Sequence, residues 1–210
     1  MSVIRNVPPV RFAKEAQLLR RTAAPLTVGR IGFIKKGVGV EELFEALARV
    51  RSDGYNVRGL LVGKVHPDIR HELQALLARA PYVEYVGDVK YDDVPSWYAQ
   101  VDVAVAVYTR TEEHRLITPT KVLESLVAGA PVIASAVGDV VDLQVRYGGI
   151  VVLEDGTSEA LADAIRQFAS DPGKLASFRK ATERAQRELV WERMEGKLLM
   201  AYDQVLGSIH

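Results

Sequence analysis

The chain has 210 residues and a mass of 23.1 kDa, which suits one domain, or one with attachments, and is too short for a two-domain enzyme of ordinary size. Hydrophobic residues at 48% and charged residues at 26% exclude wholesale disorder and fibrous classes. Lys and Arg number 27 against 27 Asp and Glu, so no global field exists to hold nucleic acid or a membrane surface.

Residues 1 to about 24 fit no strand or helix of a sheet. Pro8-Pro9 and a local basic excess predict an arm or linker there: up to Lys36, Arg5, Arg11, Lys14, Arg20, Arg21, Arg30, Lys35 and Lys36 face only Glu15. From residue 25 onward, short Val/Ile/Leu runs alternate with helix-period segments, the pattern of βαβ units and a parallel sheet. The predicted strands are Pro25–Gly29, Arg58–Gly63, Tyr82–Val86, Asp102–Val107, Pro131–Ser135 and Gly149–Leu153. Their continuous apolar character predicts a doubly wound, Rossmann-like α/β sheet of about six strands, with helices on both faces. Val40, Leu43, Phe44, Leu47 and Val50 form one helical stripe; Leu73, Leu76 and Leu77 form a second, and Val94, Trp97, Tyr98 and Val101 a third. After Leu153 the chain reads as all helix. Thr157 or Ser158 caps one segment, Asp171-Pro172 opens another, and a third begins near Trp191. The sequence contains no cysteine, which removes disulfides, thiolate nucleophiles, zinc ribbons and iron–sulfur clusters together. With no apolar run near the ~20 residues of a membrane span and no signal-peptide core at the start, it reads as cytoplasmic.

In open α/β sheets ligands bind beyond the carboxyl ends of the strands. The loop GRIGFIKKG after the first predicted strand brings Arg30, a fork, and Lys36, a point charge, to that edge, with glycines, Gly29 among them, that permit close backbone approach. It is neither a P-loop nor a dinucleotide fingerprint, and a solvated basic loop is an equal reading of the segment taken alone. In LITPTKVLE, Thr118 can cap and Pro119 can occupy the first helical position, so a helix start there would offer free N–H groups to a diphosphate. Lys121 and Glu124 share a face of that helix, where a carboxylate near a phosphate site could accept from ribose hydroxyls; a surface ion pair is the plain alternative. His66 and His71 lack zinc-protease spacing and read as a solvated helix start, as do Asp92-Asp93, while turn and cap chemistry suffices for Asp139 and Asp142. No Asp-x-Asp occurs, and no metal site is expected.

The segment PTKVLESLVAGAPVIAS, with GRIGFIKKGV upstream, VEYVGDVKYDDVPSWYAQVDVAVAV between and YGGIVVLEDGTSEALADAIRQF downstream, resembles the C-terminal donor-binding domain of glycosyltransferase family 4 enzymes, which have the two-domain GT-B architecture. The resemblance covers about residues 25–208, and VIRNVP resembles the segment entering the interdomain linker. It implies that Arg30 and Lys36 grip the donor diphosphate and carry the electrostatic catalysis, together with Gly29 and the Thr118, Thr120 and Lys121 turn. It further implies that Glu124 binds ribose and that Val86, Gly87 and Val89 lie against the nucleobase. A glutamate common in the family eight positions earlier is replaced by Leu116, and neither Glu112, Glu113 nor His114 can be assigned its role.

The expected activity is retaining, metal-independent transfer of a sugar from a nucleotide diphosphate sugar, without a further cofactor. The acceptor, a glycan, lipid or small molecule, would be held by an N-terminal domain for which too few residues precede the first strand, so this half is expected to bind donor and transfer poorly. The full enzyme would lie in the cytoplasm, with peripheral contact to the inner membrane face compatible with the basic first residues. Two rivals remain: a non-catalytic nucleotide-binding subunit with a separate acceptor-binding chain, and another GT-B-like enzyme such as a nucleotide-sugar epimerase.

Overall fold

A computed structural model describes residues 3–20, 25–109 and 118–207. Six parallel strands, β1 (Leu26–Ile31), β2 (Val57–Val62), β3 (Val83–Gly87), β4 (Val103–Ala106), β5 (Val132–Ser135) and β6 (Ile150–Leu153), form one sheet in the order β3-β2-β1-β4-β5-β6. The order reverses between β1 and β4, so the crevice of this doubly wound sheet opens above the carboxyl ends of those two strands. Alternation along each strand feeds two cores. Val103 and Val105 face one helical layer, and Ala104 and Ala106 face the other.

The first layer is α2 (Val40–Ser52), α3 (Arg70–Arg79) and α7 (Ser158–Ser170), with α8 (Pro172–Ala181) beside them. The α2 stripe read from the sequence is the buried one, every member from Val40 to Val50 lying at 4% exposure or less. Thr157 caps α7 by accepting the Ala160 N–H at 3.2 Å, and Asp171 caps α8 by accepting that of Lys174 at 3.0 Å. The second layer comprises α4 (Val94–Tyr98), α5 (Thr120–Ala128), α6 (Val140–Tyr147), α9 (Glu183–Glu188) and the start of α10 (Trp191–Gly207).

Within the predicted arm or linker, residues 10–18 form a helix. In α1 (Val10–Leu18), Phe12, Ala13 and Ala16 are buried against α4, α5 and α9. Its start is tied to the last helix: Glu192 accepts the Val10 N–H at 2.9 Å, and the Pro8 carbonyl accepts the Trp191 N–H at 2.9 Å.

Polar side chains brace the amino edge of the sheet. Asp102 accepts the buried Thr27 N–H at 2.8 Å and pairs with Arg179, while Arg58 Nε donates to Thr27 Oγ1 at 2.8 Å. Asp102→Ala is expected to cost about 2 kcal/mol by leaving the Thr27 amide without its acceptor. A urea titration should show that loss.

Candidate functional site

At the carboxyl edge, glycines decide the shape. Gly32, just past β1, has φ +133°, and Gly63, just past β2, has φ +137°. A Cβ on Gly63 would stand 2.0 Å from the Gly32 carbonyl oxygen, so the two backbones pass in direct contact. The Gly63 N–H donates to the Gly87 carbonyl at 2.7 Å, which carries the same stepped backbone across to β3. Gly87 itself, at φ +98°, has open space where a side chain would be. The turn of Val86, Gly87 and Val89 thus presents bare main chain. Not every glycine here serves that edge: Gly29 is buried within β1, and a Cβ there would meet Val101 Cγ2 at 2.2 Å, so packing explains it and no ligand contact is needed.

Arg30 also lies on β1 and not in the loop after it, because the strand runs on to Ile31 in register with Val62. Its side chain is 3% exposed. The guanidinium sits 5.7 Å from the centre of the Tyr108 ring, donates to the Val105 carbonyl only at 3.5 Å, and finds no acceptor for Nε among the described residues. Burial holds its pKa below the usual arginine value, opposed chiefly by Tyr108. Tyr108 is thus the aromatic neighbour of the buried Arg30 guanidinium. Glu42, in the first turn of α2, also faces this region, and its buried Oε2 has no hydrogen-bond partner among the described residues. Lys36 is exposed on the loop between β1 and α2. That loop is bound to the end of β4, since the Thr109 N–H donates to the Gly37 carbonyl at 3.0 Å and Gly39, the left-handed residue before α2, lies against Val107.

On the other side of the switch point, α5 begins at Thr120, one residue later than Thr118 and Pro119 predict. Pro119 has ψ 106°, an extended value that places it outside the helix, and Thr118 makes no capping bond. Thr118 instead accepts from Arg5 at 3.4 Å, and Arg5 pairs with Asp139, so Asp139 serves an ion pair and not a helix cap. Arg5, Thr118, Thr120 and Asp139 line a cleft of about 350 Å³ beside the start of α5. In the first turn of α5 the Val122 N–H donates to the Pro119 carbonyl at 2.9 Å, while helix geometry gives the N–H groups of Thr120 and Lys121 no acceptor within the helix.

Glu124, one turn into α5, is 7% exposed. Lys121 Nζ donates to both its oxygens, at 3.0 Å to Oε1 and 2.8 Å to Oε2. The Lys121 stem lies on the bare face of Gly32, where a Cβ would come 2.6 Å from Cε. Gly32 thus seats this lysine, joining the two loops that the sequence singles out. The buried Tyr98 hydroxyl reaches Glu124 Oε2 at 3.4 Å, a contact that sequence spacing does not reveal. Glu112, Glu113, His114 and Leu116 lie outside the described residues. His66 caps a short helical turn through Asp68, as its solvated reading implies.

The sequence pattern of the family described as Glycosyl transferases group 1 matches residues 24–171. The chain belongs to the group 1 glycosyltransferases. Among curated members, the D-inositol 3-phosphate glycosyltransferase of Rhodococcus jostii is 31% identical over 141 residues, 67% of this chain and 30% of that protein. The chain spans less than half the length of each curated relative it matches. Among solved structures, Anabaena Alr3699/HepE in complex with UDP and glucose superposes with a TM-score of 0.78 at 21% identity over 96% of this chain and 56% of that one. The C-terminal domain of a group 1 family protein, LpcC, from Francisella tularensis superposes with a TM-score of 0.63 at 21% identity and is covered to 92%. The fold is the Rossmann-like half of the GT-B architecture. Among the described residues, no helix is long and apolar enough to cross a membrane.

Proposed function

We propose that this chain binds a nucleotide diphosphate sugar as the donor half of a family 4-type enzyme that transfers the sugar, with retention, to an acceptor held by a second domain. The observation that supports this reading is the Lys121–Glu124 pair one turn into α5 at the switch point, with Arg30 against Tyr108 at the end of β1 and Lys36 on the loop tied to the end of β4. In this reading the diphosphate lies against the first turn of α5 and draws on Lys36, Lys121 and Arg30. Glu124 takes the ribose hydroxyls, and the base lies over the open Gly87 turn. As the glycosidic bond breaks, negative charge grows on the leaving diphosphate, and fixed cations and amides stabilise it there without a metal ion. The presence of UDP and glucose in the HepE complex supports the choice of ligand class.

Lys36→Ala is expected to weaken nucleoside diphosphate binding by about 1.5–3 kcal/mol, the range of a charged hydrogen bond, while leaving the melting temperature unchanged because the side chain is exposed. Calorimetric titration with UDP, GDP and ADP checks both the ligand class and this residue. Wild-type protein that releases no heat with any of the three would overturn the assignment.

A further inference from the structure

Glu124 has two protein partners of very different stiffness. Lys121 holds it from outside through a four-carbon stem resting on Gly32, and an ammonium is a rotatable point charge that imposes no plane on a carboxylate. The terminal torsion of a glutamate is itself broad and roughly two-fold, so this pair alone leaves the carboxylate free to turn. Tyr98 is the opposite kind of partner. Its ring is 1% exposed, packs 5.9 Å from the Phe12 ring, and stands on a helix wedged under α5. Its hydroxyl lies 3.4 Å from Glu124 Oε2 and 3.4 Å from the Lys121 carbonyl. It has one proton to give, and the charged acceptor forms the stronger bond. Burial holds the phenol well above its ordinary pKa, with the Glu124 charge adding to the effect, so it remains a donor across the working pH range.

We infer that Tyr98 is the positioning residue for the ribose-binding acid: its hydroxyl pins Oε2 and fixes the carboxylate plane, so that Oε1, whose one hydrogen-bond partner among the described residues is the displaceable Lys121 ammonium, faces the incoming hydroxyls. The inference rests on the reading of Glu124 given above and adds to it the residue that makes the acid selective. Tyr98 is 26 positions from Glu124 and reads in the sequence as one more apolar residue of a helix face.

The test is Tyr98→Phe, which keeps the ring against Phe12 and deletes only the oxygen. UDP, GDP and ADP and their 2′-deoxy counterparts are titrated calorimetrically into wild type, Tyr98→Phe, Glu124→Gln and the double variant. The ribonucleotide that binds should bind Tyr98→Phe about tenfold more weakly, and its preference over the 2′-deoxy form should fall at least threefold. Within the Glu124→Gln background the same change should have no further effect on that preference, because the hydroxyl acts only through the carboxylate. Equal weakening of ribo and deoxy forms overturns the inference, as does a full effect persisting without Glu124, or a melting temperature lowered by more than about 10 °C, any of which assigns the hydroxyl to structure. If Glu124→Gln loses the preference while Tyr98→Phe keeps it, the ribose role stands and the inference fails. If Glu124→Gln itself keeps it, the ribose reading fails and takes the inference with it. If wild type binds none of the six, both fall.

Discussion

Replacing Gly63 by alanine is expected to destabilise the domain by about 3–4 kcal/mol, combining overpacking with backbone strain. The added methyl would come 2.0 Å from a main-chain carbonyl oxygen at Gly32, and no rotamer change can clear a backbone atom. The residue also occupies φ +137°, which an alanine adopts only under strain. Relief would require β1 and β2 to part at their carboxyl ends, breaking the Gly32 N–H bond to the Val62 carbonyl at 2.8 Å and that of Gly63 to Gly87. Guanidinium denaturation should give a lowered midpoint with an unchanged slope. A variant as stable as wild type would show that the contact between the two glycines is looser than described. Gly54 offers the contrast: nothing lies within 4 Å of its missing Cβ, so alanine there meets only the strain of its φ of +90°.

Arg30→Met should separate stability from binding. A guanidinium at 3% exposure, with Nε unpartnered among the described residues and its pKa lowered by desolvation, is an expensive group to bury. Methionine fills similar space without that cost, and the variant is expected to be as stable as wild type or up to about 2 kcal/mol more so. Nucleoside diphosphate affinity should nevertheless fall by roughly 10- to 100-fold, the counterpart of losing a charged hydrogen bond. Thermal melts and calorimetry on the same preparation check both halves. A destabilised variant with unchanged affinity would make Arg30 a structural residue, and the diphosphate would then rest on Lys36, Lys121 and the start of α5.

The architecture was legible because a parallel sheet covered on both faces needs unbroken apolar strands, and runs such as Asp102–Val107 and Pro131–Ser135 have few other uses. Thr157, Asp171 and Trp191 marked their helices for local reasons, and local chemistry survives folding. Helix α1 escaped notice because its buried side consists of one phenylalanine and two alanines among charges after Pro8-Pro9, a stripe too slight to register. At the site, Arg30, Lys36, Lys121 and Glu124 were visible as residue types in suggestive places. What the sequence withheld was their mutual arrangement. Whether a glycine serves a ligand or a neighbour depends on what the next strand brings: Gly29 meets Val101 and Gly32 meets Lys121. The ring beside Arg30 depends on where β4 ends beside β1, and the grip on Glu124 on a tyrosine from another helix. Contacts across a crossover leave no trace in spacing.

Past β2 and β3 the stepped glycines Gly63 and Gly87 make the floor beside the crevice out of peptide groups alone. A floor without side chains offers point mutation almost nothing to vary, since any change other than loss of fold must come from the rim. Among enzymes built on this scaffold, new donor preferences should therefore accumulate in the surrounding loops while the floor stays the same, and anyone re-engineering selectivity would begin there.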